Sequence, residues 1–407
     1  CVSCLVGSEM CIRDRPYPGL ASFLERDAEF FHGRESSVES VWQKLRRGRL
    51  MAVTGPSGVG KTSFLRAGLI PAKPADWGII FTKPGATPLL SLREALVREI
   101  SGDTEGIVAL LRESDADTDV AAMKRWRANH DEALVVLDQF EELFTLSPPG
   151  EQELFAELLS RLTFEADVHV LVSLRDDFIY HCRNHPGLTP LFEDLTVLVP
   201  LTGPTLRRAL VQPALDCGFE FEDETLVDEM MAEVEGERGA LPLLAFAMAR
   251  LWENRAREKC QLTRQAYERM GTVSGALAQH AEEMMDRIGA DRHPLVREIF
   301  RNLVTAQGTR TVHDREQLLS VFPDSDRPAA EAVLGELIDA RLLTSYETKD
   351  DEGKTRQRIE IVHESLLKAW PRLVRWQTQD ADSAQLRDQL RQAAQLWEQK
   401  GRSDDLL

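Results

Sequence analysis

A glycine-rich octapeptide that begins at residue 55 constrains this chain more than any other part of its sequence. Its letters, GPSGVGKT, match the phosphate-binding pattern G-x-x-x-x-G-K-[ST] without a mismatch. The apolar residues 49–53 before it favour a buried strand, and residues 63–69 after it favour a helix. Glycines let successive backbone N–H groups face one anion, and the start of a helix adds a partial positive charge. The sequence therefore predicts a phosphate-binding loop that consists of Gly55, Pro56, Ser57, Gly58, Val59, Gly60, Lys61, Thr62 and Ser63.

Two side chains of this loop add chemistry of their own. The ammonium group of Lys61 can reach the β- and γ-phosphates of a nucleotide, and the hydroxyl of Thr62 can bind Mg²⁺. An ordinary glycine-rich turn is the alternative interpretation. It does not account for a strand, the glycines, a lysine, a threonine and a helix that follow one another in this order.

The length and the charge of the chain limit its organisation and its partners. A chain of 407 residues is long for one core, which favours two or three domains. The formal net charge of −18 disfavours sequence-independent binding to nucleic acid, which needs a basic surface. No apolar run approaches the roughly 20 residues of a membrane span, so we expect no membrane association.

Residues 1–15 are unlike the rest of the chain. They lack an initiator methionine and resemble translated sequencing-adapter read-through, so we expect a non-native leader and a missing natural N-terminus. A signal peptide would need a basic segment before an apolar one, and a zinc site would need a second cysteine pair. Outside this segment three widely spaced cysteines favour free thiols in a reducing cytoplasm: Cys182, Cys217 and Cys260.

Short apolar segments alternate with helical patterns in the first half of the chain. The predicted strands are residues 49–53, 78–81, 132–138, 168–175 and 195–201. This alternation predicts an α/β fold, in which a parallel sheet carries helices on both faces. The acidic stretch 114–119 is expected to be a surface loop. We expect this P-loop NTPase domain to occupy residues 16–204.

Charged residues follow two of these strands, at the edge where parallel sheets bind ligands. Asp138 comes directly after a strand and could hold Mg²⁺ opposite Thr62. Glu142, or alternatively Glu141, could polarise an attacking water, although acidic residues are also common in the first turn of a helix. Arg175 could stabilise charge on a γ-phosphate, and a surface ion pair is the alternative. Together these residues predict hydrolysis of a nucleoside triphosphate.

The second half of the chain predicts a helical domain at 205–290 and a winged-helix domain at 291–376, followed by an amphipathic helical arm at 377–407. The winged helix suggests an alternative function, that of a DNA-binding, ATP-dependent transcription regulator. Its third helix, at 327–343, carries Glu331, Glu336 and Asp339. Because an acidic face repels phosphates, nucleic-acid binding is not expected there, and we interpret the module as a lid.

These motifs together resemble the STAND class of P-loop signal-transduction ATPases, and within it the novel STAND NTPase family of bacterial conflict systems. The resemblance runs from residue 16 to residue 407. Its most specific elements are PYPGL at 16–20, GRE at 33–35, DQFEELF at 138–144 and LRDDF at 174–178. Asp176 departs from the small residue that is commoner at its position in the family.

The resemblance implies roles for further residues. Gly33 and Arg34 belong to an element that lines the nucleotide, and Pro242 would pack on the adenine. His363 takes the place of a histidine that contacts the β-phosphate of ADP in related switches, although its neighbours Val362 and Glu364 depart from that motif. In DQFEELF the resemblance favours the second glutamate, Glu142, as the general base.

The resemblance also implies a mechanism. ADP would hold the modules closed, and exchange for ATP after a trigger would open the protein and let it self-associate. Hydrolysis of ATP with Mg²⁺ would reset this switch, which we expect to serve bacterial antiviral defence. An effector domain before this region and a sensor domain of repeats after it would complete the protein. A motor ATPase that turns over rapidly without a trigger is a further alternative.

Overall fold

The computed structural model describes residues 15–19, 21–56, 58–100, 116–192, 195–234, 240–305, 310–340, 342–349, 355–362 and 365–379. The chain forms two compact units. The first holds the residues up to Ala266, and the second holds Tyr267–Thr348 and the residues from Thr355 onward. The finer division into NTPase, helical and winged-helix domains stays a prediction, and most of the predicted arm lies outside the described residues.

A five-stranded parallel sheet organises the first unit. Its strands in chain order are β1 (Leu50–Gly55), β2 (Trp77–Thr82), β3 (Glu132–Leu137), β4 (His169–Arg175) and β5 (Leu195–Val197). Their spatial order is β2-β3-β4-β1-β5, and each neighbouring pair is parallel. The predicted α/β sheet is confirmed. Because β4 lies between β1 and β3, residues at the carboxyl ends of these three strands meet at one edge.

Helices cover both faces of this sheet, as predicted. They are α1 (Glu35–Leu45), α2 (Lys61–Ser63), α3 (Pro88–Glu99), α4 (Ala116–Arg127), α5 (Glu142–Leu146), α6 (Pro149–Phe164) and α7 (Ile179–Cys182). Successive strand residues face opposite layers, so Val135 packs in the core with Leu159 of α6 and Val136 packs in the core with Leu45 of α1. Because both faces of the sheet are buried, the strand sequences are nearly continuous apolar runs.

One local prediction differs from the structure. The stretch 114–119 was expected to be a surface loop, but α4 begins at Ala116, and the side chain of Asp119 is buried. Asp119 accepts two hydrogen bonds from Arg93 of α3, at 2.6 and 2.8 Å, and this charge-assisted pair compensates for its burial. The helix predicted after the phosphate-binding loop is present, and it continues from α2 as a π-helix over Phe64–Leu69.

The rest of the first unit is mainly helical. Its elements are α8 (Gly203–Asp216), β6 (Glu220–Phe221), α9 (Glu224–Ala232), α10 (Ala240–Glu253), β7 (Gln261–Leu262) and α11 (Arg264–Arg269). The two short strands pair in parallel. Short 3₁₀ helices lie at Glu25–Phe30, Asp176–Phe178 and Pro186–Phe192.

The second unit combines helices with a three-stranded sheet. Its elements are α12 (Thr272–Ile288), α13 (His293–Asn302), β8 (His313–Asp314), α14 (Arg315–Ser320), α15 (Arg327–Asp339), β9 (Leu343–Lys349), β10 (Thr355–Ile361) and α16 (Ser365–Ala369), with a 3₁₀ helix at Ala290–Arg292. β10 pairs antiparallel with β8 and lies between β8 and β9. Within the described part of the chain, no helix is both long and apolar enough to cross a membrane.

Candidate functional site

The glycine-rich loop connects β1 to α2 at the carboxyl edge of the sheet. Gly58 and Gly60 have φ angles of 79° and 92°, which residues with a side chain rarely adopt. A Cβ atom at Gly55 would lie 2.6 Å from the carbonyl oxygen of Leu198, so only glycine fits there. The backbone thus has the glycine-dependent turn that the octapeptide predicts. Ser57 lies outside the described residues.

Lys61 folds back over the loop. Its Nζ donates hydrogen bonds to the carbonyl oxygens of Gly55, at 2.8 Å, and Pro56, at 3.2 Å. Burial lowers the pKa of this ammonium group, the carboxylate of Glu141 opposes that effect, and Arg175 adds to it. The ammonium group therefore lies among charged groups of both signs.

Asp138 joins three strands of the sheet. Its Oδ2 accepts a hydrogen bond of 2.8 Å from the hydroxyl of Thr62, and its Oδ1 accepts one of 3.0 Å from the hydroxyl of Ser173 on β4. The Asp138 backbone N–H donates to the carbonyl of Thr82 at the end of β2. Both Asp138 and Ser173 are fully buried. Asp138 and Thr62 therefore lie side by side, and their shared role at Mg²⁺ stays a prediction, whereas sequence reasoning missed Ser173.

The chain turns sharply after Asp138, and this turn separates the two glutamates. Glu141 lines the cavity described below, and its Oε2 accepts a hydrogen bond from the backbone N–H of Arg175 at 3.3 Å. Glu142 instead accepts a hydrogen bond from the backbone N–H of Gly85, at 3.2 Å. Burial raises the pKa of both carboxyl groups. The geometry therefore favours Glu141, the alternative of the sequence analysis, as the carboxylate that faces a ligand.

Arg175 ends β4 beside Gly55, its register partner on β1. Its guanidinium group lies 5.6 Å from the centre of the Phe178 ring, and the side chain lines the same cavity as Lys61 and Glu141. The phosphate-binding loop and the ends of β3 and β4, which were predicted to meet at one edge of the sheet, are therefore adjacent. The roles assigned to their side chains stay predictions.

A cavity of about 320 Å³ lies over this edge. The phosphate-binding loop and the ends of β3 and β4 supply most of its polar lining: Gly58, Val59, Gly60, Lys61, Thr62, Ser63, Asp138, Gln139, Glu141 and Arg175. Most of the remaining lining is apolar and comes from residues 17–19, 21–23, 30 and 31 and from α8 and α10. Such a combination of a mostly apolar wall and a few convergent polar groups is typical of small-molecule sites.

The segment before α1 is tied to the loop and to the helices around it. The backbone N–H of Phe23 donates to the hydroxyl of Ser63 at 3.1 Å, and the hydroxyl of Tyr17 donates to the carbonyl of Leu210 at 2.5 Å. Glu25 accepts two hydrogen bonds from Arg66, at 2.9 and 2.8 Å. Sequence analysis did not foresee most of these wall residues, because apolar and backbone groups carry no distinctive pattern.

Arg34 is buried and lies against the phosphate-binding loop. Its Nη2 donates to the carbonyl oxygen of Val59 at 3.2 Å, and burial lowers the pKa of the guanidinium group. Arg34 lines the cavity, whereas Gly33 does not. A Cβ atom at Gly33 would lie 2.5 Å from the carbonyl oxygen of Thr205, so this glycine allows α8 to approach closely.

The family resemblance assigned roles to Pro242 and His363, and the structure describes the first of these two residues. Pro242 lies near the start of α10 and lines the cavity together with Leu241, Ala245 and Met248. His363 lies outside the described residues. Gly55, Pro56 and Glu142 support the loop and the turn without lining the cavity.

Comparison with known protein families agrees with this geometry. The profile of the family Novel STAND NTPase 1 matches residues 16–405, which is nearly the whole chain. The chain belongs to this family. The resemblance proposed from the motifs is therefore confirmed, and with it the membership of the STAND class of NTPases.

Several solved structures are weakly similar to this chain. A Walker-type ATPase of Pyrococcus abyssi has a TM-score of 0.47 and 15% identity, over 86% of this chain and 97% of that chain. The ORC1 protein of Aeropyrum pernix, solved in complex with DNA, has a TM-score of 0.46 and 16% identity, over 88% and 96%. The ORC2 protein of Aeropyrum pernix, solved as ADPNP–ADP complexes, has a TM-score of 0.46 and 13% identity, over 86% and 94%. No curated protein matches the chain.

Proposed function

We propose that this protein is an ATP-binding and ATP-hydrolysing switch in signal transduction. The observation that carries the proposal is the convergence of the glycine-rich loop, the Thr62–Asp138 hydrogen bond and the charged ends of β3 and β4 on one cavity. Membership of the STAND NTPase family supports the same class of activity.

The polar and apolar lining groups of the cavity suit the polar and apolar parts of a nucleotide. Backbone N–H groups of the loop, Lys61 and Arg175 offer positive charge to the phosphates, in a chain whose net charge is −18. The apolar side chains of Pro242 and Met248 would pack against the base. The guanine-recognition letters T-K-x-D occur only at 348–351, a stretch that begins in β9 and not at the carboxyl edge of the parallel sheet, and this favours ATP over GTP.

The donor set at Thr62 and Asp138 fits Mg²⁺. The hydroxyl oxygen and a carboxylate oxygen lie 2.8 Å apart, and hard oxygen donors of this kind are those that Mg²⁺ prefers. Among the described residues no three His, Cys, Asp or Glu side chains cluster as a metal site, so these two residues would share the ion with phosphate oxygens and water. When bound, Mg²⁺ would neutralise charge on the phosphates.

Hydrolysis needs a water positioned in line with the γ-phosphate. Glu141 is the better placed carboxylate to orient that water, because it lines the cavity and Glu142 does not. Glu142 has the role that the family resemblance assigns to the second glutamate, but its carboxylate accepts a hydrogen bond from Gly85. Arg175 would stabilise charge that develops on the γ-phosphate.

The switch would use ADP-closed and ATP-open states, with self-association of the open form and a role in bacterial antiviral defence. A nucleotide can shift such an equilibrium only if it contacts the protein differently in the two states. Pro242 of the helical region is a candidate for such a contact. The contact of His363 with ADP, and the winged-helix identity of the second unit, stay part of this proposal.

Nucleic-acid binding through the second unit is not part of the proposal. Glu331 and Asp339 of α15 are exposed, and Glu331 pairs with Arg315 at 2.8 Å. An acidic, internally paired helix offers little to a phosphate backbone. Binding of duplex DNA by the full chain at physiological salt would argue for the transcription-regulator alternative.

The nucleotide that co-purifies with the full chain tests the proposal first. We expect stoichiometric ADP in the wild-type protein and its loss in Lys61→Ala, while Lys368→Ala, a change at an exposed lysine of α16, keeps it. Circular dichroism would show that both variants are folded. Rapid ATP turnover by an empty wild-type protein would favour the motor alternative, and absence of binding to both ADP and ATP would refute the proposal.

A matched pair of variants then assigns the general base. If Glu141 orients the water, Glu141→Gln lowers kcat for ATP by about 100-fold or more and leaves ADP affinity within about threefold. Glu142→Gln, which keeps a hydrogen-bond acceptor for Gly85, should lower kcat much less. The opposite order of the two effects would restore Glu142 to the role that the family resemblance gives it.

A further inference from the structure

The residue after Asp138 has an unusual backbone conformation. Gln139 has a φ angle of 52°, in the left-handed region that residues with a side chain seldom adopt. Strain of this kind persists only where the surrounding structure maintains it, and it is concentrated at functional sites. Here it lies between a fully buried carboxylate and the turn that carries Glu141.

This left-handed residue determines where the following side chains point. Directly after it, the backbone N–H of Phe140 donates to the carbonyl of Ser173 at 2.7 Å, and the Phe140 ring is fully buried. The backbone N–H of Glu142 donates to the carbonyl of Gln139 at 2.9 Å, which closes the turn. Glu141, held between these two contacts, lines the cavity.

Lys83 holds the side chain of Gln139. Its Nζ donates a hydrogen bond of 2.6 Å to Oε1 of Gln139. Lys83 begins the loop after β2, whose last residue, Thr82, accepts the backbone N–H of Asp138 at 2.9 Å. Gly85 of the same loop donates to Glu142 and accepts a hydrogen bond of 3.0 Å from the hydroxyl of Ser147. The loop is therefore fastened to the turn at several points.

From these contacts we propose that Lys83 is a positioning residue of the nucleotide site, which acts through Gln139. Its charge-assisted hydrogen bond maintains the left-handed turn, and the turn keeps the Glu141 carboxylate in the cavity. The inference rests on the proposed ATPase function. The competing interpretation is an exposed lysine whose contact contributes nothing measurable, as is common at protein surfaces.

A double-mutant cycle on the full chain separates these interpretations. Lys83→Met removes the donor but keeps the length of the side chain, and Gln139→Gly lets the backbone adopt the left-handed conformation without any support. We expect Lys83→Met alone to lower kcat for ATP about three- to tenfold through displacement of Glu141, with ADP affinity changed less than about twofold, since the phosphate-binding loop is left in place. In the Gln139→Gly background, adding Lys83→Met should leave kcat within about twofold.

The unfolding temperature of the nucleotide-free protein gives a second readout of the same cycle. Lys83→Met should lower it in the wild-type background and not in the Gln139→Gly background. An equal loss of kcat in both backgrounds would overturn the proposal, because Lys83 would then act directly. An unchanged kcat and unfolding temperature in Lys83→Met would overturn it in favour of a surface contact. Failure of the ATPase proposal itself would appear separately, as a wild-type chain that binds neither ADP nor ATP.

Discussion

Removal of the Ser173 hydroxyl tests the arrangement around Asp138. Ser173 Oγ donates to Asp138 Oδ1 at 3.0 Å, and both residues are fully buried. Hydrogen bonds to charged groups contribute about 1.5–3 kcal/mol, and a buried acceptor that loses its donor retains the cost of its desolvation. Because Asp138 keeps its hydrogen bond from Thr62, we expect Ser173→Ala to lower the free energy of unfolding by about 2 kcal/mol.

The neighbouring strand offers a matched control. Thr54 on β1 pairs in register with Leu174, and its buried hydroxyl has no hydrogen-bond partner among the residues that the structure describes. Replacing an unsatisfied buried hydroxyl by a methyl group of the same shape is nearly neutral or stabilising. Urea unfolding followed by circular dichroism should therefore give free energies of unfolding for Ser173→Ala and Thr54→Val that differ by about 2 kcal/mol. The dependence of this free energy on urea concentration should be the same for both variants. Equal free energies for the two variants would refute the reasoning.

Three further predictions concern other parts of the chain. Gly33→Ala should lower the free energy of unfolding by about 2 kcal/mol or more, because φ is 87° and the new Cβ would lie 2.5 Å from the Thr205 carbonyl oxygen. Gly150→Ala, whose Cβ would meet no described atom within 4 Å, is the control in the same urea assay and should leave that free energy unchanged or raise it by up to about 1 kcal/mol. Burial lowers the pKa of His169 below its ordinary value of 6.5, so its contribution to stability is complete above pH 6.5 and is lost as the pH falls below it. In His169→Gln the free energy of unfolding should therefore change less with pH in this range. The same pH dependence in the variant and the wild type would show that protonation of His169 does not destabilise the fold. In the second unit, Glu282→Ala should lower the unfolding free energy by about 1–3 kcal/mol, since Glu282 accepts the indole N–H of the buried Trp370 at 2.6 Å; an unchanged thermal midpoint would argue against this contact.

The parts of the site that could be predicted are those with a distinctive local pattern. The glycines of the loop, with Lys61 and Thr62, form a motif because one backbone geometry needs these residues at these spacings. Asp138 and Arg175 were recognisable because each charged group follows an apolar strand, and the carboxyl ends of parallel strands meet at one edge. The order of these strands then brings the side chains together.

Other parts depend on contacts that no local pattern encodes. Ser173 was the one polar residue in the run VLVSL, but only its place beside β3 shows that it donates to Asp138. Asp119 was expected to be exposed because acidic residues usually are, and its partner Arg93 lies 26 positions away. The residues between positions 17 and 31 that line the cavity likewise contribute mainly apolar side chains and backbone groups, which form no recognisable motif.

The sequence by itself determined that this chain has a phosphate-binding loop, a parallel α/β sheet and membership of the STAND NTPase class, since each depends on residue types at short, fixed spacings. Only the tertiary structure decided which of two adjacent glutamates faces the cavity. The left-handed backbone at Gln139 directs Glu141 to the cavity and Glu142 to Gly85. A single φ angle is maintained by contacts from β4 and from the loop after β2, and these come from distant parts of the chain.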